Sequence, residues 1–262
     1  MTNENRILAN YEAHKKCDIK KSLALKYHVN SKLSVELTEE SIIKASPLVM
    51  NKVFSNTIRK SGKKYLNVDV IELQKPDMEC SLYEALVHRK SHPDPDKIRE
   101  IIEIKDLSTL TWSAYGMSDQ KTMRRTIPSA GALYPCELYI LSVDSCLPHG
   151  LYHYNSFQHN LERIKKEEIR LDKLFTSTIG LQQASIVYVI TSMYKRSYFK
   201  YGERAYRFML IEAGEIVQNL SLAAAGLGYN ATAHGGTADY DLEKFMGING
   251  LDETVLIAVG IS

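Results

Sequence analysis

At 262 residues, 44% hydrophobic and 24% charged, the chain has the make-up of one large globular domain, or of one domain with an extension. Its 33 basic against 31 acidic residues leave a formal charge of +2, which argues against a broad nucleic-acid surface. No apolar run approaches the roughly 20 residues of a membrane span, and the polar first ten residues lack a signal-peptide core, so the cytoplasm is the expected location.

In chain order, residues 1–78 read as a Lys-rich polar extension, either a docking or dimer arm or a structural arm wrapping the core. Within it, residues 37–45 suit a short helix stopped by Pro47, and Lys75-Pro76-Asp77 marks the boundary. The core, 79–262, opens with a capping box, Ser81 and Glu84, which predicts a helix ending near Ser91 ahead of Pro93. A second helix is expected over 95–104 and a third over 107–115, stopping at Gly116. Strands are expected at 136–143, 150–154, 186–192 and 254–259, with a shorter one at 230–233. The longest helical pattern, 203–225, carries Phe208, Leu210, Ile211, Ile216, Val217, Leu220 and Ala224 around much of its circumference, so a buried central helix is expected. Helices flanking a mostly antiparallel sheet make an α+β fold. Cys17, Cys80, Cys136 and Cys146 form no Cys-x-x-Cys pair and read as reduced thiols, with no metal site expected.

The most informative stretch is 124–135, Arg-Arg-Thr-Ile-Pro-Ser-Ala-Gly-Ala-Leu-Tyr-Pro. Gly131 and Ala132 carry almost no side chain, so a flat ligand can lie on the backbone. Ser129 and the free N–H groups of such a turn suit an anionic or carbonyl-rich partner. The plainer reading is a tight loop between a helix and a strand. Arg89-Lys90-Ser91 reads by itself as a solvated helix end whose cations offset the helix dipole. Gly235-Gly236 reads as a turn or as a close backbone approach. Gln218 and Asn219 fall on the expected buried helix, where an amide must find partners. Lys200-Tyr201 follows Lys195 and Arg196 and precedes Arg204, so it reads as a solvated face or as a site lysine whose pKa those cations lower. There is no Gly-x-Gly-x-x-Gly, P-loop, His-Glu-x-x-His or Gly-x-Ser-x-Gly.

The Pro-Ser-Ala-Gly run resembles the flavin-binding segment of the nitroreductase superfamily, and more narrowly its SagB/ThcOx branch of azoline dehydrogenases. Tyr27-His28 with Ser31-Lys32, Ser81 to Leu86 with Arg89-Lys90-Ser91, residues 107–116, Lys200 to Arg207 and Gln218-Asn219-Leu220 resemble that branch in the same order. The resemblance runs from about residue 22 to the C-terminus. It implies a homodimeric nitroreductase-like fold binding FMN at the subunit interface, through Arg89, Ser91, Pro128, Ser129, Ala130, Gly131, Gln218, Gly235 and Gly236. It implies Lys200 and Tyr201 as the catalytic pair that aromatises thiazolines or oxazolines of a ribosomally made precursor peptide. A cyclodehydratase of the same pathway is the implied partner. Two departures stand out: Pro93 occupies a basic position of the family, and the chain ends at Gly260-Ile261-Ser262 without cations. Arg124 or Arg125 is therefore expected to supply phosphate charge. The alternatives are an NAD(P)H-dependent nitro or quinone reductase, and a non-catalytic scaffold subunit of a peptide-modifying complex.

Overall fold

The structure is a computed structural model, and it describes residues 22–32, 57, 60, 62–91 and 101–262. The chain forms two compact units, Met1–Pro47 and Leu48–Ser262. In the first, helix α1 (Leu23–Asn30) is capped by Ser22, whose Oγ accepts from Leu25 N, and Ser31 Oγ donates back to Tyr27 O at 2.7 Å. Tyr27 and His28 lie on this helix. The helix expected over 37–45 lies outside the described residues, as do Pro93 and most of the helix expected over 95–104.

The second unit is built on a seven-stranded sheet of order β1-β6-β5-β4-β7-β9-β8. Its strands are β1 (Asp69–Glu72), β4 (Cys136–Ser142), β5 (Gly150–Asn155), β6 (Asn160–Lys165), β7 (Ile186–Ser192), β8 (Ala231–His234) and β9 (Thr254–Ile261). Every adjacent pair is antiparallel. Antiparallel strands usually alternate apolar with polar residues, yet β4 and β7 are buried along their whole length. Both faces of the sheet are covered. Leu138, Ile140, Ile186, Tyr188 and Ile190 join one core with Leu107, Leu110, Ile216 and Leu220. Tyr139, Leu141, Val187 and Val189 join a second core with Leu174, Leu181, Leu242 and Met246 on the other side.

Helix α2 (Leu82–His88) keeps the expected capping box: Ser81 Oγ accepts from Glu84 N, and Glu84 Oε2 accepts from Ser81 N at 3.0 Å. Ser81→Ala should lower the free energy of unfolding by about 1 kcal/mol, measured by urea titration; an unchanged midpoint would show that this cap contributes nothing. Helix α3 (Ile104–Tyr115) begins three residues earlier than the pattern suggests, and residues 101–103 ahead of it are not helical. It ends at Gly116, where Trp112 leaves no room for a Cβ.

Residues 62–78 are part of the sheet unit rather than of a separate layer. Strand β1 pairs with β6 from Asp69↔Arg163 to Glu72↔Asn160. The stretch around the expected boundary at Lys75-Pro76-Asp77 is bonded to α3: Gln74 N donates to Ser108 Oγ and Asp77 N to Thr109 Oγ1, each at 3.0 Å. Buried Ser108 and Thr109 need partners, and the chain passing over them provides backbone N–H groups. The compact units accordingly divide at Pro47/Leu48, well before residue 78.

The long helix α6 (Ala205–Gly226) is buried along one face, through Met209, Glu212, Ala213, Ile216, Leu220 and Ala224. Leu210 and Ile211, expected inside, are exposed on the opposite face of this single chain. Two short helices, α4 (Leu171–Leu174) and α5 (Lys195–Tyr201), and an eight-residue one, α7 (Asp239–Met246), complete the unit with a small hairpin, β2 (Met117–Asp119) and β3 (Arg124–Arg125). Among the described residues no helix is long and apolar enough to cross a membrane.

Candidate active site

The Pro-Ser-Ala-Gly turn precedes β4, and its backbone is strained. Gly131 has φ +64°, and two residues with side chains share that sign, Ala132 at +55° and Tyr134 at +46°. A bulky residue there costs on the order of 1–3 kcal/mol and persists only where its surroundings over-determine it. They do so for Tyr134. Its N–H donates to Ser129 Oγ at 2.9 Å, its hydroxyl accepts from Arg125 N at 3.2 Å, and its carbonyl accepts from Arg196 Nη1 at 3.2 Å.

Helix α5 brings Lys200 and Tyr201 onto this turn. A methyl group placed on Gly131 would lie 2.6 Å from both Lys200 Nζ and Tyr201 Oη. The turn and the Lys-Tyr pair, some 70 positions apart in the sequence, thus meet at one backbone atom, and only glycine leaves them room. The Tyr201 ring stands edge-on to Phe208 with centroids 4.9 Å apart. Burial raises the Tyr201 pKa, so its phenol keeps its proton at neutral pH. Beside the pair lies a cleft of about 270 Å³ lined by Pro128, Ser129, Ala130, Phe208, Ile211, Glu212 and Glu215. Its wall is small and apolar, and its charge is acidic.

Glu212 was not singled out by the sequence, although it falls in phase with Met209, Ala213 and Ile216 on the inward face of α6. Its Oε1 accepts from the Tyr115 hydroxyl at 2.8 Å and from Cys136 N at 3.3 Å, and its carboxyl also bonds Ser129. Burial raises its pKa above the usual carboxylate value. One carboxyl thereby ties the turn to the end of α3 and the start of β4.

A second buried cluster was also unforeseen. Arg196 Nη1 pairs with Glu137 Oε1 at 2.6 Å, Glu137 Oε2 lies 2.9 Å from His153 Nε2, and His153 Nδ1 lies 2.9 Å from Glu162 Oε2. Both ring nitrogens of His153 are therefore taken by carboxylates. Burial would raise the Glu137 pKa, but Arg196 and then His153 outweigh it and hold the carboxyl at about 2. Burial would lower the His153 pKa, yet Glu137 and Glu162 lift it above 6.5. The Glu137 contribution to stability is complete above its unfolded value of 4.5 and is lost as pH falls towards about 2. The His153 contribution is complete below 6.5 and is lost as pH rises through the higher folded value. The thermal midpoint should therefore decline on both sides of the window from pH 4.5 to 6.5. Scanning calorimetry across pH should find the acid decline shallower in Glu137→Gln; an unchanged acid limb would contradict this.

Other expected cofactor residues fall elsewhere. Arg89 Nη1 donates to Ser91 Oγ at 3.0 Å, and Ser91 O accepts from Thr232 Oγ1 on β8 at 2.7 Å. Gly235 and Gly236 follow that same strand. Among the described residues nothing lies within 4 Å of a Cβ built on Gly235, while Gly236 O is held by Thr176 N at 2.8 Å. Arg89, Ser91 and the two glycines thus gather at β8. The turn precedes β4, three strands across the sheet from β8, a lateral offset of about 14 Å at the usual interstrand distance. Both arginines of the 124–135 run have partners within the chain. Arg124 is exposed and paired with Asp119 at 3.2 Å. Arg125 is buried, its guanidinium 4.0 Å from the Tyr115 ring centroid and 4.9 Å from that of Tyr134. Gln218, expected to be buried, is exposed; the inward amide is Asn219, whose Nδ2 donates to Ser113 O at 2.9 Å.

Residues 88–261 match the Nitroreductase family. The Putative nitroreductase MJ1384 of Methanocaldococcus jannaschii is 31% identical over 188 residues, covering 69% of this chain and 91% of that protein. The microcin B17-processing protein McbC of Escherichia coli is 27% identical over 160 residues, covering 56% of this chain and 57% of its own length. Among solved structures, a putative nitroreductase from Ralstonia eutropha superposes with a TM-score of 0.64 at 27% identity, over 74% of this chain and 88% of that one. The E. coli microcin synthetase McbBCD complex with truncated pro-MccB17 shares the fold, with a TM-score of 0.55 at 21% identity over 88% of this chain and 97% of that one. With two thirds of its length matched, and with this sheet and turn, the chain belongs to the nitroreductase family.

Proposed function

We propose that the protein is an FMN-dependent azoline dehydrogenase that converts thiazoline or oxazoline rings of a precursor peptide to thiazoles or oxazoles. Family membership supports an oxidoreductase, and the McbC likeness supports peptide maturation. The observation that carries the reading is the convergence of Lys200 Nζ and Tyr201 Oη on Gly131.

The residues present fit FMN. The small, apolar wall of Pro128, Ser129 and Ala130 suits a flat ring, whereas Glu212 and Glu215 repel a phosphate from that cleft. The phosphate belongs instead with Arg89 and Ser91, and Gly235-Gly236 gives the backbone a close approach to the ring. When bound, FMN supplies the two-electron acceptor for the hydride that leaves the azoline ring and passes the electrons to dioxygen. Aromatisation also releases a proton from the neighbouring carbon. Lys200 Nζ takes it as general base. Tyr201, kept protonated by burial, donates a hydrogen bond that orients the ring, and Phe208 fixes the phenol from the side.

The two groups of cofactor residues lie apart in one chain, and a second copy of the chain brings them together. Leu82, Tyr83, Leu86 and Val87 on α2 and Leu210 and Ile211 on α6 are exposed and apolar, as a homodimer surface requires. Arg89→Ala should weaken FMN binding about ten- to a hundredfold, the loss typical of a charge-assisted hydrogen bond, measured by quenching of FMN fluorescence. Unchanged affinity would move the phosphate elsewhere.

A second reading, an NAD(P)H-dependent nitro or quinone reductase, is favoured by the likeness to MJ1384, which spans 91% of that protein. Comparing aerobic turnover of an azoline-bearing peptide with NADPH-driven reduction of a nitroaromatic separates the two. Dehydrogenation without NADPH supports the first reading; reduction with no azole formed supports the second.

A further inference from the structure

Helix α5 depends on tertiary contacts for its orientation. It has seven residues and no side-chain N-cap, and it breaks at Gly202, where φ is +54°. A helix this short is marginal by itself. Its first residue, Lys195, pairs with Asp252, but both side chains are at least half exposed, and such pairs contribute little. Its buried charge is Arg196, whose side chain is 12% exposed and whose partner Glu137 is 5% exposed.

We propose that Arg196 is the positioning residue of the site, and that its guanidinium sets the distance between Lys200 and the turn at Gly131. Arg196 and Lys200 are four residues apart, so they share one face of α5 and the tether acts directly beneath the lysine. One guanidinium reaches both halves of the site: Nη1 donates to Tyr134 O within the strained turn and pairs with Glu137 on β4. The far end of the tether is itself fixed. Glu137 meets His153 on β5, His153 meets Glu162 on β6, and Glu162 accepts from Asn155 Nδ2 and Tyr65 N, each at 3.0 Å. The anchor thus runs through three strands. Both contacts come from Nη1. A lysine in place of Arg196 keeps the charge but has a stem one atom shorter and a freely rotating ammonium, so it does not hold the carbonyl and the carboxylate in the same place.

The inference rests on the dehydrogenase reading only for the role of Lys200, and its test includes a readout that needs neither substrate nor FMN. The full chain and the variants Arg196→Lys and Arg196→Met are treated with acetic anhydride, and acetylation of Lys200 is followed by peptide mass spectrometry. The Lys200 rate should change severalfold in both variants, while that of exposed Lys195 stays constant. On an azoline-bearing peptide with saturating FMN, kcat should fall about ten- to a hundredfold, as a displacement of about 1 Å would cause, with KM unchanged. That loss should vanish when Lys200 is already alanine, since Arg196 acts through it. Arg196→Met leaves Glu137 without its cation and risks misfolding, so Arg196→Lys decides if the methionine variant is unstable. Unaltered Lys200 acetylation in a folded variant would overturn the proposal, as would kcat losses that multiply in the double variant. If the parent protein makes no azole, the dehydrogenase reading fails, while the acetylation rates still decide where Arg196 holds the lysine.

Discussion

Replacing Lys200 by alanine should reduce azole formation by about 10²- to 10⁴-fold, the usual contribution of a positioned general base. The chain should still fold, because Lys200 is only half-buried and lies in a short helix outside both cores. FMN affinity should change little, since Arg89, Ser91 and the glycines after β8 do not depend on it. Tyr201 cannot take over the proton, because burial keeps its hydroxyl protonated. An azoline-bearing peptide, saturating FMN and mass analysis of the product make the comparison. Equal rates for the variant and its parent would remove Lys200 from the chemistry.

Gly131→Ala is expected to separate stability from activity. Alanine at φ +64° costs roughly 1 kcal/mol relative to glycine. The atoms its methyl group would meet, Lys200 Nζ and Tyr201 Oη, are the ends of long side chains that swing away without disturbing the backbone. The protein should therefore remain folded, with a small fall in its unfolding midpoint. The same swing takes both groups out of position, and turnover should drop about a hundredfold, since geometry within an ångström governs such steps. Urea denaturation and peptide turnover measured on one preparation test both halves. Full turnover in Gly131→Ala would show that the tight contact has no catalytic meaning.

The strands and the long helix were legible because burial on both sheet faces wrote continuous apolar runs at β4, β5, β7 and β9. Strands β1 and β6 were missed for the converse reason: they lie toward the sheet edge, where Asp69, Glu72, Glu162 and Arg163 interrupt the apolar pattern. The turn at 128–131 and the Lys-Tyr pair were each visible as motifs, but their meeting is a tertiary fact that no local spacing encodes. Arg124 and Arg125 look equivalent in sequence. Alternation along the hairpin sends one outward to Asp119 and the other inward over Tyr115 and Tyr134. The signals that went unused were charges inside apolar runs: Glu137 within β4 and Glu212 on the inward face of α6. A carboxylate in such a place requires fixed donors, and here those donors, Arg196, His153, Tyr115 and Ser129, hold the site together.

An anaerobic single turnover decides whether the protein withdraws hydride from an azoline without help from a nicotinamide, as proposed. The protein, loaded with FMN and freed of excess, is mixed with an azoline-bearing peptide in the absence of oxygen and NADPH. The visible flavin band should bleach as the peptide loses two hydrogen atoms, and readmitting air should restore the band. A band that stays unbleached by the peptide but is discharged by NADPH alone would contradict the claim and identify a reductase.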